Sequence, residues 1–287
     1  SVNGSRTQPV HVETERVAKN GRNLFTRPND ADKADPRLLQ QTHLEQLSQN
    51  SSFRELVDAL ASISSVHIVP QVAKANTGSD RLILRDAPGS DFIAQIAELS
   101  VKKQRGALNK ISKLLRIAVP QFSKLEIVRE RKTGIPHLMA KFEHWRAKGS
   151  WQSEQDLSDG TLRLIGFIWA ILNGDGPLLL EEPELSLHRA VVRQIPRILA
   201  RAAQVHERQV ITSTHADEVL DDTGIDPSEV IILKPTAEDT LVTSGSRSEA
   251  LTNAAKARLP LGGVVGSLTR PHGIEQLAIE WPEAATR

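Results

Sequence analysis

The sequence predicts an α/β protein: a mostly parallel sheet flanked by helices, with a basic helical and hairpin insertion beside it. Three observations point there. Leu178-Leu179-Leu180 is a short, uniformly apolar run, as in strands buried on both faces. Helical and strand patterns alternate from Leu157 onward, which implies right-handed crossovers within one sheet. Val101 to Ser150 carries 13 basic residues against three acidic ones, a net +10, while the remainder of the chain nets −9.

Taken in order, Val10, Val12, Thr14 and Val17 suggest an edge strand before Asn20-Gly21. Leu38 to Ile63 has helical spacing through Leu44, Leu47, Phe53, Leu56, Val57 and Leu60. Val66-His67-Ile68-Val69 reads as a strand closed by Pro70. Phe92 to Ile117 is again helical, with Gly106 as a break. Leu125–Val128 and His137–Phe142 read as two strands around Thr133-Gly134.

Thr161 to Leu172 is apolar on nearly every side and so predicts a buried helix, stopped by Asn173-Gly174-Asp175-Gly176-Pro177. After the Leu178–Leu180 strand, a helix is expected from Arg189 to Ala203, with Pro196 bending it. A second buried strand follows at Gln209–Thr212 and a third at Glu229–Leu233, with Thr240–Thr243 pairing near the edge. The expected division is 1–91, then the basic insertion 92–150, then 151–287.

Composition narrows the class. The 287 residues are 39% hydrophobic and 25% charged, the profile of a globular chain long enough to bury a core. No apolar run approaches the roughly 20 residues that span a bilayer, so a cytoplasmic protein is expected. With no Cys there is neither a thiol nucleophile nor a cysteine zinc site. Tyr is absent and Phe and Trp are few, so the core must be mostly aliphatic. The +10 segment points either to a polyanion such as DNA or to solvated faces that meet acids elsewhere in the fold. Arg189, Arg193, Arg197 and Arg201, spaced by four, carry the same two readings.

Ligands of parallel sheets gather at the carboxyl ends of the strands, and the chemistry-bearing residues fall there. Glu181, Glu182 and Glu184 follow the Leu178–Leu180 strand directly. Adjacent acids at such a place suit Mg²⁺ and phosphate, one holding the ion through water and the next orienting an attacking water. Ile211-Thr212-Ser213-Thr214-His215 ends the next strand, and Ser158-Asp159-Gly160 opens the buried helix, where a cap and free N–H groups can cradle an anion.

Leu157-Ser158-Asp159-Gly160-Thr161 resembles the ABC-ATPase signature motif, and Leu178–Glu182 resembles its Walker B strand with the adjoining catalytic glutamate. Leu185-Ser186-Leu187-His188 is similar to the D-loop and His215 to the switch histidine. The combination LSDGT, EEPE, SLH and STHADE resembles the RecF/SMC-related branch of AAA-type ATPases, which includes overcoming-lysogenization-defect (OLD) proteins and anti-phage ATPases. Ile231–Pro235 and Gln276-Leu277 fit stand-alone members of that branch. The resemblance implies an ABC-ATPase-like fold and ATP hydrolysis with Mg²⁺. It gives Glu182 the role of general base, Glu181 that of ion holder through water, and His215 that of γ-phosphate contact. Ser158, Asp159 and Gly160, with Ser186 and His188, would act across a head-to-tail homodimer that sandwiches the nucleotide. DNA or a partner effector such as a nuclease would receive the work, in anti-phage defence or DNA repair.

No G-x-x-x-x-G-K-[ST] occurs, and Gly262–Ser267 is glycine-rich but has no Lys. The resemblance therefore implies a Walker A segment and a Q-loop upstream of Ser1, which this chain is expected to lack. A nucleotide-free scaffold or DNA-binding protein with the same fold is the competing expectation. A nuclease built on Glu181, Glu182 and Glu184 is a third.

Overall fold

The leucine run does sit at the centre of a parallel sheet in the computed structural model, which describes residues 11–75, 89–143, 150–271 and 273–276. The chain divides into two units, 1–63 and 64–287.

In the first unit, β1 (Glu15–Lys19) and β2 (Arg22–Arg27) form an antiparallel hairpin. Asn20 and Gly21 at its tip both have left-handed φ, 52° and 76°, as the tight turn between twisted strands demands. The strand thus begins after Val12 and Thr14, because the Val12 N–H is taken by the Leu39 carbonyl instead. Val10 lies outside the described residues. Arg27, 1% exposed, ties this unit together. It reaches both carboxylate oxygens of Asp32, Glu15, and the carbonyls of Leu38 and Gln41. Asp32 also closes a capping box with Asn29 on α1 (Asp30–Ala34).

The long helix expected from Leu38 to Ile63 shrinks to α2 (Arg54–Ala61), preceded by single 3-10 turns at Pro36–Gln40 and Ser51–Phe53. Thr42 and Glu45 satisfy one another's N–H groups locally, and Asn50 folds its amide onto the Leu44 carbonyl. Such side-chain bonds offer the backbone an alternative to helix.

In the second unit, β3 (Ser64–Val66) pairs parallel with β7 (Leu178–Glu181), which pairs parallel with β8 (Val210–Ser213). Between β3 and β7 the chain makes α3 (Pro70–Ala75), α4 (Phe92–Glu98), α5 (Val101–Ala118), β4 (Phe122–Arg129), β5 (Pro136–Phe142), β6 (Ser150–Ser153) and α6 (Asp159–Leu172). β3 begins two residues before the expected strand and ends at Val66, immediately before His67, and Pro70 opens α3, where its missing N–H costs nothing. The break after Phe92 falls at Leu99-Ser100, whose backbone is extended. Gly106 stays helical within α5. β4, β5 and β6 form an antiparallel sheet, with Gly134 at φ 72° in the expected turn.

α6 is the buried helix anticipated from its composition, with Leu162, Ile165, Phe167 and Ile168 at most 3% exposed. Gly166 lets Ile68 pack close to the helix, since a Cβ would lie 2.8 Å from Ile68 Cδ1 and push that side chain aside. Arg208, buried, donates to the carbonyls of Asn173 and Gly174 and so closes the loop that leads into β7. One core joins α4, α5, the antiparallel sheet, α6 and β7.

The helix after β7 is two helices, α7 (Arg189–Val192) and α8 (Ile195–His206), because Pro196 starts the second rather than bending the first. Three of the four arginines in the row they carry are neutralised within the fold. Arg189 pairs with Glu218, Arg193 with Asp221 and Arg197 with Asp222.

The third buried strand is not part of the parallel sheet. β9 (Ile231–Pro235) and β10 (Thr240–Ser244) form a separate antiparallel pair. Alternation decides it: Ile232 is buried, while Ile231 and Leu233 on its flanks are 65% and 57% exposed. α9 (Glu249–Lys256) and α10 (Gly262–Thr269) complete a second small core on Val230, Ile232, Leu251, Ala254 and Leu261. Arg146, Lys148 and Leu277 lie outside the described residues. Among those described, no helix is long and apolar enough to cross a membrane.

Candidate active site

The parallel pairing puts Glu181 opposite Ser213, so the acids after β7 and the hydroxyls and imidazole after β8 emerge at the same end. Glu182 has a left-handed φ of 41°, an uncommon and strained state for a side-chain-bearing residue. Its N–H is held by the Ser213 carbonyl at 3.1 Å. Its Oε1 lies 3.2 Å from His215 Nε2, and the imidazole is 92% exposed. The two strand-end residues therefore meet as a carboxylate–imidazole pair, the imidazole in solvent and the Glu182 side chain 25% exposed. Glu181 points elsewhere: its carboxylate is 64% exposed and 3.7 Å from His67 Nδ1.

Glu184 is the buried member of the trio. Its Oε1 accepts from Thr214 Oγ1 at 2.5 Å and from the His215 N–H at 3.3 Å, so it fixes the backbone that carries the imidazole. Its Oε2 has no partner. The three glutamates thus have three different partners. Among the described residues no cluster of three acids or histidines could hold a metal ion.

Ser158 caps α6 by accepting from the Thr161 N–H at 3.2 Å. Asp159 is gripped from α3, by Lys74 Nζ and Gln71 Nε2, each at 2.8 Å. At Gly160 a Cβ would stand 2.4 Å from the Ser186 carbonyl oxygen. Glycine is required because a backbone oxygen already occupies that space. Ser186, itself left-handed at φ 62°, is thereby brought against the N-terminus of α6. His188 caps α7, its Nδ1 accepting from the Ala190 N–H at 3.2 Å.

A glutamate–histidine pair at the ends of adjacent parallel strands, beside a capped buried helix, is accompanied by a family match. The family described as "AAA domain, putative AbiEii toxin, Type IV TA system" matches residues 5–221, well over half of the chain. The chain belongs to this AAA-domain family. No curated protein matches it.

Solved structures similar to this AAA domain include an SMC ATPase from work on ATP-driven dimerization and DNA stimulated activation. It is 15% identical over 59% of this chain and 97% of that one, with a TM-score of 0.40. An Smc head domain with a coiled coil and joint from Pyrococcus yayanosii is 17% identical over 55% and 31% of the two chains, TM-score 0.39. An Smc head bound to the C-winged helix domain of ScpA is 15% identical over 69% and 62%, TM-score 0.44. The AAA domain spans less than two thirds of the latter two.

The residues present fit a magnesium-bound polyphosphate in part. Glu181 offers a solvent-facing oxygen donor of the kind Mg²⁺ takes while keeping several waters. His215 is open to solvent and Glu182 partly so, at the same end of the sheet. Gly262–Ser267 does not fit as a phosphate cradle. It is α10, and Cβ atoms at Gly262 and Gly266 would strike the Asp217 carbonyl and the Asp217 carboxylate. Its glycines serve packing beside a carboxylate.

Arg163 is a residue of the AAA domain that sequence reasoning passed over. It is 7% exposed on α6, and its Nε and Nη1 have no hydrogen-bond partner. Burial pushes its guanidinium below the usual range, against the pull of Asp159, Glu182 and Glu184. The signal was available, since Arg163 is the one charged residue in the otherwise apolar run from Leu162 to Leu172. Lys74 and Gln71 gave no signal, because their partner lies far along the chain.

Proposed function

We propose that this AAA domain is the ATP-hydrolysing head of an ABC-type ATPase of the RecF/SMC-related, OLD-like branch, working in anti-phage defence or DNA repair. Two copies would close head to tail on Mg²⁺-ATP and pass the work to DNA or to a partner effector such as a nuclease. The observation that carries this reading is the Glu182–His215 pair, 3.2 Å apart at the ends of adjacent parallel strands.

When bound, magnesium-ATP supplies the phosphoryl group and neutralises much of its charge. Glu181 would hold the ion through water. Glu182 takes the proton of a water at its carboxylate, with Oε1 oriented by His215 Nε2. Glu184 and Thr214 keep the His215 backbone fixed. Ser158, Asp159 and Gly160, with Ser186 and His188, would present the N-terminus of α6 to the nucleotide held by the other copy. Positioning of this kind supplies most of the catalysis in phosphoryl transfer.

Mixing two inactive variants tests the head-to-tail part. Glu182→Gln removes the base. Ser158→Asp keeps a good helix cap and adds a charge that repels phosphate. If each site draws Glu182 from one copy and Ser158 from the other, half of the dimers in an equal mixture are mixed and have one intact site. Turnover should return to about a quarter of wild type, as two-fold symmetry requires. A mixture no more active than its two components would contradict the shared site.

A further inference from the structure

We propose that the solvent face of α5 is a docking surface for the phosphate backbone of duplex nucleic acid. This deepens the reading above by naming where DNA meets the chain, yet its test needs no nucleotide.

α5 is 18 residues long and contains no acidic residue. Its inner side, Leu108, Ile111, Ser112 and Leu115, is buried in the core. Lys102, Lys103, Arg105, Lys110, Lys113 and Arg116 are all exposed. At 3.6 residues per turn these six cations fall within an arc of about 160°, and at 1.5 Å per residue they run for about 21 Å. Among the described residues, Lys102, Lys103, Arg105, Lys110 and Lys113 have no ion pair or side-chain hydrogen bond. Arg116 donates to the Ser123 carbonyl. Arg131 and Lys132 are also exposed, at the β4–β5 turn.

The Arg row of α7 and α8 is the internal contrast. It has the more regular spacing, but Glu218, Asp221 and Asp222 neutralise three of its members. Charge that the fold itself balances has no call on a partner. The α5 charge is unbalanced, and holding like charges in one arc costs stability.

The chemistry selects among polyanions. A duplex presents a charge about every 1.7 Å, and exposed Lys and Arg answer it without specific geometry. Single strands are gripped by stacking on aromatic rings, and α5 has none. A membrane-surface helix buries its apolar face in lipid, but here that face is spent on the protein core. Protein interfaces are depleted in Lys, and four of these six residues are Lys.

The test is fluorescence anisotropy of the full chain with a duplex of about 20 base pairs, across salt from about 50 to 200 mM. The variant is Lys103→Gln, Lys110→Gln, Lys113→Gln, whose exposed sites and equal helix propensity leave folding intact. The control removes the same charge elsewhere through Lys234→Gln, Arg247→Gln and Lys256→Gln. The α5 variant should bind at least about tenfold more weakly and lose about 2.7 from the slope of log affinity against log salt, three phosphate contacts' worth. The control should match wild type. An unchanged slope in the α5 variant, an equal loss in the control, or wild type that binds phosphatidylserine vesicles but not the duplex would overturn the proposal. Duplex binding as expected by a wild-type protein that shows no ATP turnover in a separate assay would count against the catalytic reading alone.

Discussion

Gly160→Ala and Gly263→Ala form a matched pair that isolates the contact between the N-terminus of α6 and the Ser186 loop. Both glycines are the second residue of their helices. Alanine therefore gains the same propensity at each, at most about 1 kcal/mol relative to glycine. Around Gly263 nothing lies within 4 Å of a new Cβ, whereas at Gly160 the Ser186 carbonyl oxygen lies at 2.4 Å. A backbone oxygen cannot rotate aside, so the loop must shift toward an ordinary contact. Overpacking of this kind costs about 1–3 kcal/mol. Gly160→Ala should end about 1–2 kcal/mol less stable than wild type, while Gly263→Ala is up to about 1 kcal/mol more stable. In a domain of this size the two melting temperatures should then differ by about 2–12 °C. Thermal unfolding followed by circular dichroism reads the difference. Equal melting temperatures would refute the contact and with it the placement of Ser186 against the signature-like turn.

Arg163→Met should leave stability unchanged or raise it by about 1 kcal/mol in urea titration, because desolvation outweighs the pull of the surrounding carboxylates and a buried orphan charge is replaced by apolar volume. A loss above about 2 kcal/mol would mean that those carboxylates depend on it. The Arg27 guanidinium, bonded to Asp32, holds that carboxyl at about 2. A depressed acid stabilises above its unfolded range and stops doing so as pH falls through its folded value. The stability gap between wild type and Asp32→Asn should therefore be full near neutrality and close between about pH 4 and 2. A gap that stays constant with pH would contradict the pairing.

The parts of the fold legible in the sequence were those fixed by local composition. α6 announced itself because a helix apolar on every side has only one place to go. β7 did so because a leucine triplet cannot face water. What was missed turned on side chains acting at a distance or against their own backbone. Thr42, Glu45 and Asn50 redirect hydrogen bonds that periodicity had assigned to a helix. Glu229–Leu233 reads as a third buried strand because Ile231, Ile232 and Leu233 are all apolar, whereas β9 pairs antiparallel with β10 and leaves Ile231 and Leu233 in solvent. In the candidate site, Glu182 and His215 were found by their strand-end positions, and their contact follows from parallel register. The bracing of His215 by Glu184, and the hold of Lys74 and Gln71 on Asp159, depend on tertiary placement that no spacing encodes.

The central claim is that the Glu182–His215 pair hydrolyses ATP, and the most direct measurement is Mg²⁺-ATP turnover by the full-length protein beside its Glu182→Gln variant. The account predicts turnover in wild type, a loss of at least about a hundredfold in Glu182→Gln, as removal of a general base entails, and nucleotide binding retained. Equal turnover in the two proteins would contradict it.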